Sequence, residues 1–380
     1  MFQLRAELDR RGENFGEALL YRAIAMSRFG SEHEAIDHFR KFLATKPAPD
    51  LERKARYELS WALTRLGEYR QAATEIGAAL RLTGESETSR ADHRNVQGLL
   101  ETLNGVARQT VEFGPPTRVQ ARRNPLGLWE VPVEVNSRRG EWMFDTGANY
   151  STVSESEALR MGLAIREVSA HISDFVGADH PTRLAVAGEL RFGSARLRNV
   201  VFLVLSDQSL FVSPLKYQMH GILGLPVIRA LECVEVSAEG ATSFGKCAAA
   251  ARVAANLFFD RLNAIMQVGH SGNNVQMVLD TGAAATVLYP SILDSFAQWE
   301  RDQLKGARAT ASVAAISEQA EADLIPLIRL EPAGRTVHLD RIGLFRKAPQ
   351  GTTGRDGVLG IDALKGGFRI DFRDMRLTLN

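Results

Sequence analysis

The sequence predicts a multidomain protein of the α + all-β class, with an N-terminal α-helical repeat region followed by two tandem β-rich units. Three observations carry this prediction. Over roughly the first 110 residues apolar side chains recur at helical spacing, and no proline occurs before Pro47 and Pro49. Beyond them Asp-Thr-Gly occurs twice, each time after a hydrophobic run and before Ala: Met143-Phe144-Asp145-Thr146-Gly147-Ala148 and Val278-Leu279-Asp280-Thr281-Gly282-Ala283. Downstream of each stands a hydrophobic-hydrophobic-Gly pattern, Gly221-Ile222-Leu223-Gly224-Leu225 and Gly357-Val358-Leu359-Gly360-Ile361.

The helical region, 1–112, contains an internal repeat. Setting Phe29-Gly30 on Leu66-Gly67 aligns Gly30, Ala35, Phe39, Leu43 and Pro47 with Gly67, Ala72, Ile76, Leu80 and Gly84, a period of 37 residues. The Ala-x3-Phe pattern followed by Pro resembles the tetratricopeptide helix-turn-helix unit. Two repeats alone bury little continuous core, so the flanking segments Phe2 to Arg11 and Thr88 to Thr110 are expected to cap the stack or pack on the rest of the chain. The resemblance implies a surface for a substrate peptide or a partner protein; the other reading is that the helices only package the N-terminus. Paired prolines in Phe113-Gly114-Pro115-Pro116-Thr117 stop any helix, and 113–124 reads as a linker. A softer joint is the Ala-rich stretch from Cys247 to Asn256.

The duplicated unit carries the chemistry. Asp280 follows Asp145 by 135 residues and Gly360 follows Gly224 by 136, so one unit has been copied almost without change of register. A single Asp-Thr-Gly makes a good turn and means little; four motifs in order at one period are specific. Two carboxyls brought together about a pseudo-two-fold axis share one proton and titrate as a pair. The ionised member can act as general base toward water while the protonated member polarises a carbonyl. No metal, cofactor or covalent intermediate is needed. Glycine allows the tight turn and close approach to substrate, and the Thr hydroxyls can tie the two turns across the axis.

On Asp145 to Ala148, Asp280 to Ala283, Ile222 to Gly224 and Val358 to Gly360, residues 125–380 resemble the retropepsin-like aspartic proteases, with both halves in one polypeptide. The resemblance implies two β-barrel lobes, 125–248 and 249–380, catalytic Asp145 and Asp280, and Thr146, Gly147, Ala148, Thr281, Gly282 and Ala283 as supports of the active-site turns. It also places a short helix after each hydrophobic-Gly motif, at Pro226 to Leu231 and Asp362 to Lys365. Strand-like alternation then follows at Cys233 to Val236 and Phe368 to Phe372. Between each Asp and its hydrophobic-Gly motif a flap is implied. The candidates are Ile172 to Asp179, with Phe175, Val176 and Gly177 at the tip, and Ala311 to Glu318, with Val313 and Ala314 but no glycine. Substrate would lie extended beneath them, bonded like an added strand. Pepsin-like relatives carry Ser or Thr after the motif, where a hydroxyl lowers the carboxylate pKa; Ala148 and Ala283 supply none, which predicts activity at mildly acidic pH.

Composition excludes other classes. Net charge is +1, Arg is dispersed among acids and no phosphate-binding glycine loop occurs, so nucleic acid is not an expected ligand. Eight histidines form no His-Glu-x-x-His and no Cys/His cluster, so no metal site is expected. His220 and Asp356, just before the hydrophobic-Gly motifs, read as loop ends. No run of 18 apolar residues is present, so no membrane span is expected. The N-terminus lacks a basic-then-apolar signal, yet the resemblance, whose bacterial members are often exported, favours an extracytoplasmic home over the cytoplasm. Cys233 and Cys247 could face each other across a hairpin. With both aspartates in one chain a monomer suffices. The competing functions are a peptide-binding scaffold without turnover, which would have little use for two adjacent carboxyls, and the same dyad acting on a non-peptide substrate.

Overall fold

The computed structural model describes residues 1–12, 15–173, 179–246, 254–304, 308–311, 320–349 and 351–380. It forms two compact units. One comprises Met1–Gln109 together with Glu167–His171 and Phe258–Leu262; the other comprises Thr110–Arg166, Ile172–Leu257 and Asn263–Asn380.

The first unit is built on helices α1 (Phe2–Arg11), α2 (Gly16–Arg28), α3 (Glu32–Ala44), α4 (Pro49–Arg65), α5 (Tyr69–Leu80) and α6 (Glu87–Thr102). Their apolar stripes explain them. In α3 Ala35, Ile36, Phe39 and Phe42 are buried, and in α5 Ala72, Ala73, Ile76, Ala79 and Leu80, one face of a 3.6-residue period in each case. The aligned positions Ala35 and Ala72, and Phe39 and Ile76, are all fully buried. Pro49 opens α4 at a position where no N–H is needed. Ser86 caps α6 by accepting from Ser89 N–H. This last helix ends at Thr102, short of the expected Thr110, and Thr110–Phe113 instead pairs as a strand with Ala195–Arg198.

That pairing begins a larger departure from the sequence reading. The stretch 113–124, read as a linker, is drawn into sheets: Arg118–Gln120 pairs with residues 241–243 and Arg122–Arg123 with residues 129–130. The prolines do stop the helix, but the partner of Arg118–Gln120 lies some 120 residues along the chain and leaves no local mark.

In the second unit the two Asp-Thr-Gly segments have the same surroundings. Arg138–Phe144, which leads to Asp145, runs antiparallel to Trp129–Val135 and parallel to Gly221–Leu223; the latter is antiparallel to Ser151–Ser154, which is parallel to Val200–Leu205. Asn273–Leu279, which leads to Asp280, runs antiparallel to Asn263–His270 and parallel to Gly357–Leu359; this strand is antiparallel to Val287–Leu288, which is parallel to Val337–Phe345. Each hydrophobic-Gly motif is thus a central strand between the one entering the Asp turn and the one leaving it. Both are buried throughout, which is why they read as unbroken apolar runs.

The helix Leu225–Ala230 and the 3-10 turn Ile361–Leu364 follow these strands. Beyond them Cys233–Ser237 and Gly367–Asp371 pair antiparallel at the middle of a five-stranded sheet, in a register centred on Glu235 opposite Arg369. Val234, Val236, Phe368 and Ile370 are buried, as the alternation required. Cys233 is disulfide-bonded; Cys247 lies outside the described residues. No helix among the described residues is long and apolar enough to cross a membrane.

Candidate active site

Both Asp-Thr-Gly turns belong to the second unit, and the structure brings them face to face. Asp145 N–H donates to Leu223 O at 3.0 Å and Asp280 N–H to Leu359 O at 3.1 Å, so each hydrophobic-Gly strand holds the base of its own Asp turn. Past the turns, Leu225 N–H donates to Ala148 O at 2.8 Å and Ile361 N–H to Ala283 O at 2.9 Å.

The threonines join the turns reciprocally. Thr146 Oγ1 donates to Leu279 O at 2.8 Å and accepts from Thr281 N–H at 3.0 Å. Thr281 Oγ1 donates to Phe144 O at 2.9 Å and accepts from Thr146 N–H at 3.1 Å. Both side chains are buried, so these four bonds are shielded from water. They fix the separation of the two carboxyls.

The glycines let the carboxyls approach. A Cβ on Gly147 would lie 2.5 Å from Asp280 Oδ2, and one on Gly282 would lie 2.6 Å from Asp145 Oδ1. Each carboxyl therefore rests against the other turn's glycine backbone, a place no side chain can share. Gly224 and Gly360 meet the same constraint lower down: a Cβ would sit 2.7 Å from Ser151 N and from Ala285 C, respectively.

The two carboxyls are not equivalent. Asp145 Oδ1 accepts from Gly147 N–H at 2.7 Å and Ala148 N–H at 3.1 Å. Asp280 Oδ1 accepts from Gly282 N–H at 2.8 Å, and Ala283 N–H, which also lies against this carboxyl, donates to the backbone Asp280 O at 3.3 Å. Asp280 is buried and Asp145 half-buried. Burial raises the Asp145 carboxyl above its ordinary value, opposed by the hydrogen bond from Asp280 and by the N–H groups of Gly147, Ala148 and Gly282. Burial, then the charge of Asp145 and the hydrogen bond shared with it, holds the Asp280 carboxyl well above the ordinary range. Two carboxyls raised together in this way share one proton and titrate as a pair.

Residues 131–227 match the aspartyl protease family. The match takes in Asp145 and Gly221 to Gly224 and ends before Asp280. Among solved structures the chain is similar to a retropepsin-like aspartic protease from Rickettsia conorii at 16% identity and TM-score 0.27, over 37% of this chain and 96% of that one. No curated protein matches the sequence.

Two polar supports escaped the sequence reading. Gly224 N–H donates to Ser151 Oγ at 3.0 Å, and Gly360 N–H to Thr286 Oγ1 at 3.1 Å. Ser151 and Thr286 stand at the 135-residue period, so a hydroxyl six residues after each Asp was a legible signal. Asp362 is a support peculiar to the second half. Its carboxylate accepts from Thr286 N–H and, at 2.7 Å, from Thr286 Oγ1, where the first half has Pro226.

His220 and Asp356 sit beside the hydrophobic-Gly strands, where His220 O accepts from Ser154 N–H and Asp356 O from Tyr289 N–H, both at 2.9 Å. The flap candidates Phe175, Val176, Gly177, Val313 and Ala314 lie outside the described residues. Among the described residues no group of three His, Cys, Asp or Glu side chains could hold a metal ion.

Proposed function

We propose that the protein is a single-chain aspartic endopeptidase whose dyad is Asp145 and Asp280, one from each of two tandem lobes, 125–248 and 249–380. The observation that carries this reading is the reciprocal threonine network, which holds two carboxyls against each other, with burial raising both. A scaffold gains nothing from two adjacent carboxyls that resist burial.

In the first step Asp145 takes a proton from a water whose oxygen attacks the scissile carbonyl carbon, while Asp280 gives its proton to the carbonyl oxygen. This yields a neutral gem-diol and reverses the protonation of the pair. In the second step Asp145 returns its proton to the amide nitrogen, Asp280 takes one from a diol hydroxyl, and the C–N bond breaks. The pair regains its starting state without a covalent intermediate. Substrate lies extended across the dyad, adding main-chain hydrogen bonds.

The test is cleavage of an unbiased peptide mixture between about pH 4 and pH 7, comparing wild type with Asp145→Asn and Asp280→Asn. Loss of cleavage in both variants supports the shared dyad. Cleavage that survives either substitution, or folded wild type that cuts nothing, overturns it.

A further inference from the structure

The unit that holds the helices also contains Phe258–Leu262, a segment remote from them in sequence. The contacts come from helices α1, α2 and α4. From α2, Arg28 pairs with Asp260 at 3.2 Å and with Glu58 of α4 at 2.8 Å. From α4, Arg65 donates to Arg261 O at 2.6 Å and lies 5.5 Å from the Phe259 ring centre. Its guanidinium is itself fixed by Glu32 of α3 at 2.9 Å and by Ser27 O of α2 at 3.0 Å. Phe258 meets Phe2 and Phe29 at ring-centre distances of 5.7 and 6.2 Å, and the Arg261 guanidinium lies 6.0 Å from the Trp61 ring centre. The Arg65 and Glu32 side chains are only 5% and 2% exposed, so this is an enclosed receptor for a hairpin end bearing two aromatic rings, a carboxylate and a main-chain acceptor.

We propose that the hairpin end Phe258–Leu262 is the resident ligand of helices α1, α2 and α4, and that through it the helices position the strand leading to Asp280 instead of recruiting substrate. The link is covalent and short. From Leu262 the chain enters Asn263–His270, whose pairing with Asn273–Leu279 places Ile265 opposite Val278, three residues from Leu262 on one strand and two from Asp280 on the other. Leu279 O also receives the Thr146 hydroxyl, so drift of this strand would pull on the dyad's own tie.

The effect on turnover rests on the peptidase reading; the docking does not. The experiment therefore measures both on the full-length chain carrying Phe258→Ala with Asp260→Asn, substitutions that leave every helical side chain in place. Hydrogen exchange is followed in 263–279 and 27–65, and peptide cleavage is resolved into kcat and KM. The expected result is exchange about tenfold faster in both segments, with kcat reduced about tenfold or more at nearly constant KM. Phe258→Leu with Asp260→Glu should recover most of both. Faster exchange without detectable wild-type cleavage would overturn the peptidase reading and keep the docking. Exchange altered only within 258–262, or a raised KM at constant kcat, would overturn the positioning role.

Discussion

Replacing Thr146 by Val tests the tie between the two Asp turns most directly, because valine keeps the side-chain volume and removes only the hydroxyl. Two buried partners are then orphaned: Leu279 O loses its donor at 2.8 Å and Thr281 N–H its acceptor at 3.0 Å. A buried polar group left unsatisfied costs about 1–3 kcal/mol, so the pair together should cost about 2–6 kcal/mol. Water cannot compensate, since Thr146 is 1% exposed and Thr281 fully buried. Thr146→Ser keeps the hydroxyl and should cost only about 1 kcal/mol for the lost methyl. The assay is equilibrium urea unfolding followed by tryptophan fluorescence, with cleavage measured in parallel. Thr281→Val, which orphans Phe144 O and Thr146 N–H, should behave alike. A loss below about 0.5 kcal/mol for Thr146→Val, or one equal to that of Thr146→Ser, would refute the claim that these bonds hold the turns together.

Gly147→Ala should reduce cleavage at least about a hundredfold, since its Cβ would meet Asp280 Oδ2 at 2.5 Å and force the carboxyls apart; activity within about threefold of wild type would contradict this. The raised pKa of Asp280 stabilises the fold fully below the ordinary carboxyl value of about 3.9, and that contribution disappears as pH rises through the folded value. Asp280→Asn cannot ionise, so its stability relative to wild type should improve from about pH 4 to about pH 8; urea midpoints that differ equally at both pH values would refute the assignment. Ala148→Ser adds a hydroxyl donor beside the Asp145 carboxylate, where Ala148 N–H already donates at 3.1 Å, and should move the acidic limb of the pH-rate profile to lower pH; an unmoved limb would count against Asp145 as the base.

Much of the candidate site was legible because its parts are repeated. Asp145 and Asp280, their Thr-Gly-Ala neighbours and the two hydrophobic-Gly strands recur at one spacing, and a recurring spacing is visible without knowing the fold. The helices were equally legible, from Phe2–Arg11 to the buried faces of α3 and α5, since a 3.6-residue period is a local property. Ser151 and Thr286 carried the same signal and were overlooked, as hydroxyl residues are common in turns for many other reasons. The strand Arg118–Gln120 was not legible, because an edge strand takes its identity from the partner it pairs with, here residues 241–243, more than a hundred residues away, and Arg122–Arg123, though its partner at 129–130 is near, is too short to show a period.

The sequence by itself determined the pairing of two Asp-Thr-Gly units, the small residues around each carboxyl and the helical character of the N-terminal region, all of which follow from composition and spacing along the chain. Only the meeting of distant segments shows that burial and mutual charge raise the Asp280 carboxyl, that each threonine hydroxyl reaches across to the opposite turn, and that Phe258–Leu262 packs among helices α1, α2 and α4. Burial, mutual charge and hydrogen-bond geometry depend on which distant segments meet, and no local pattern of residues encodes that.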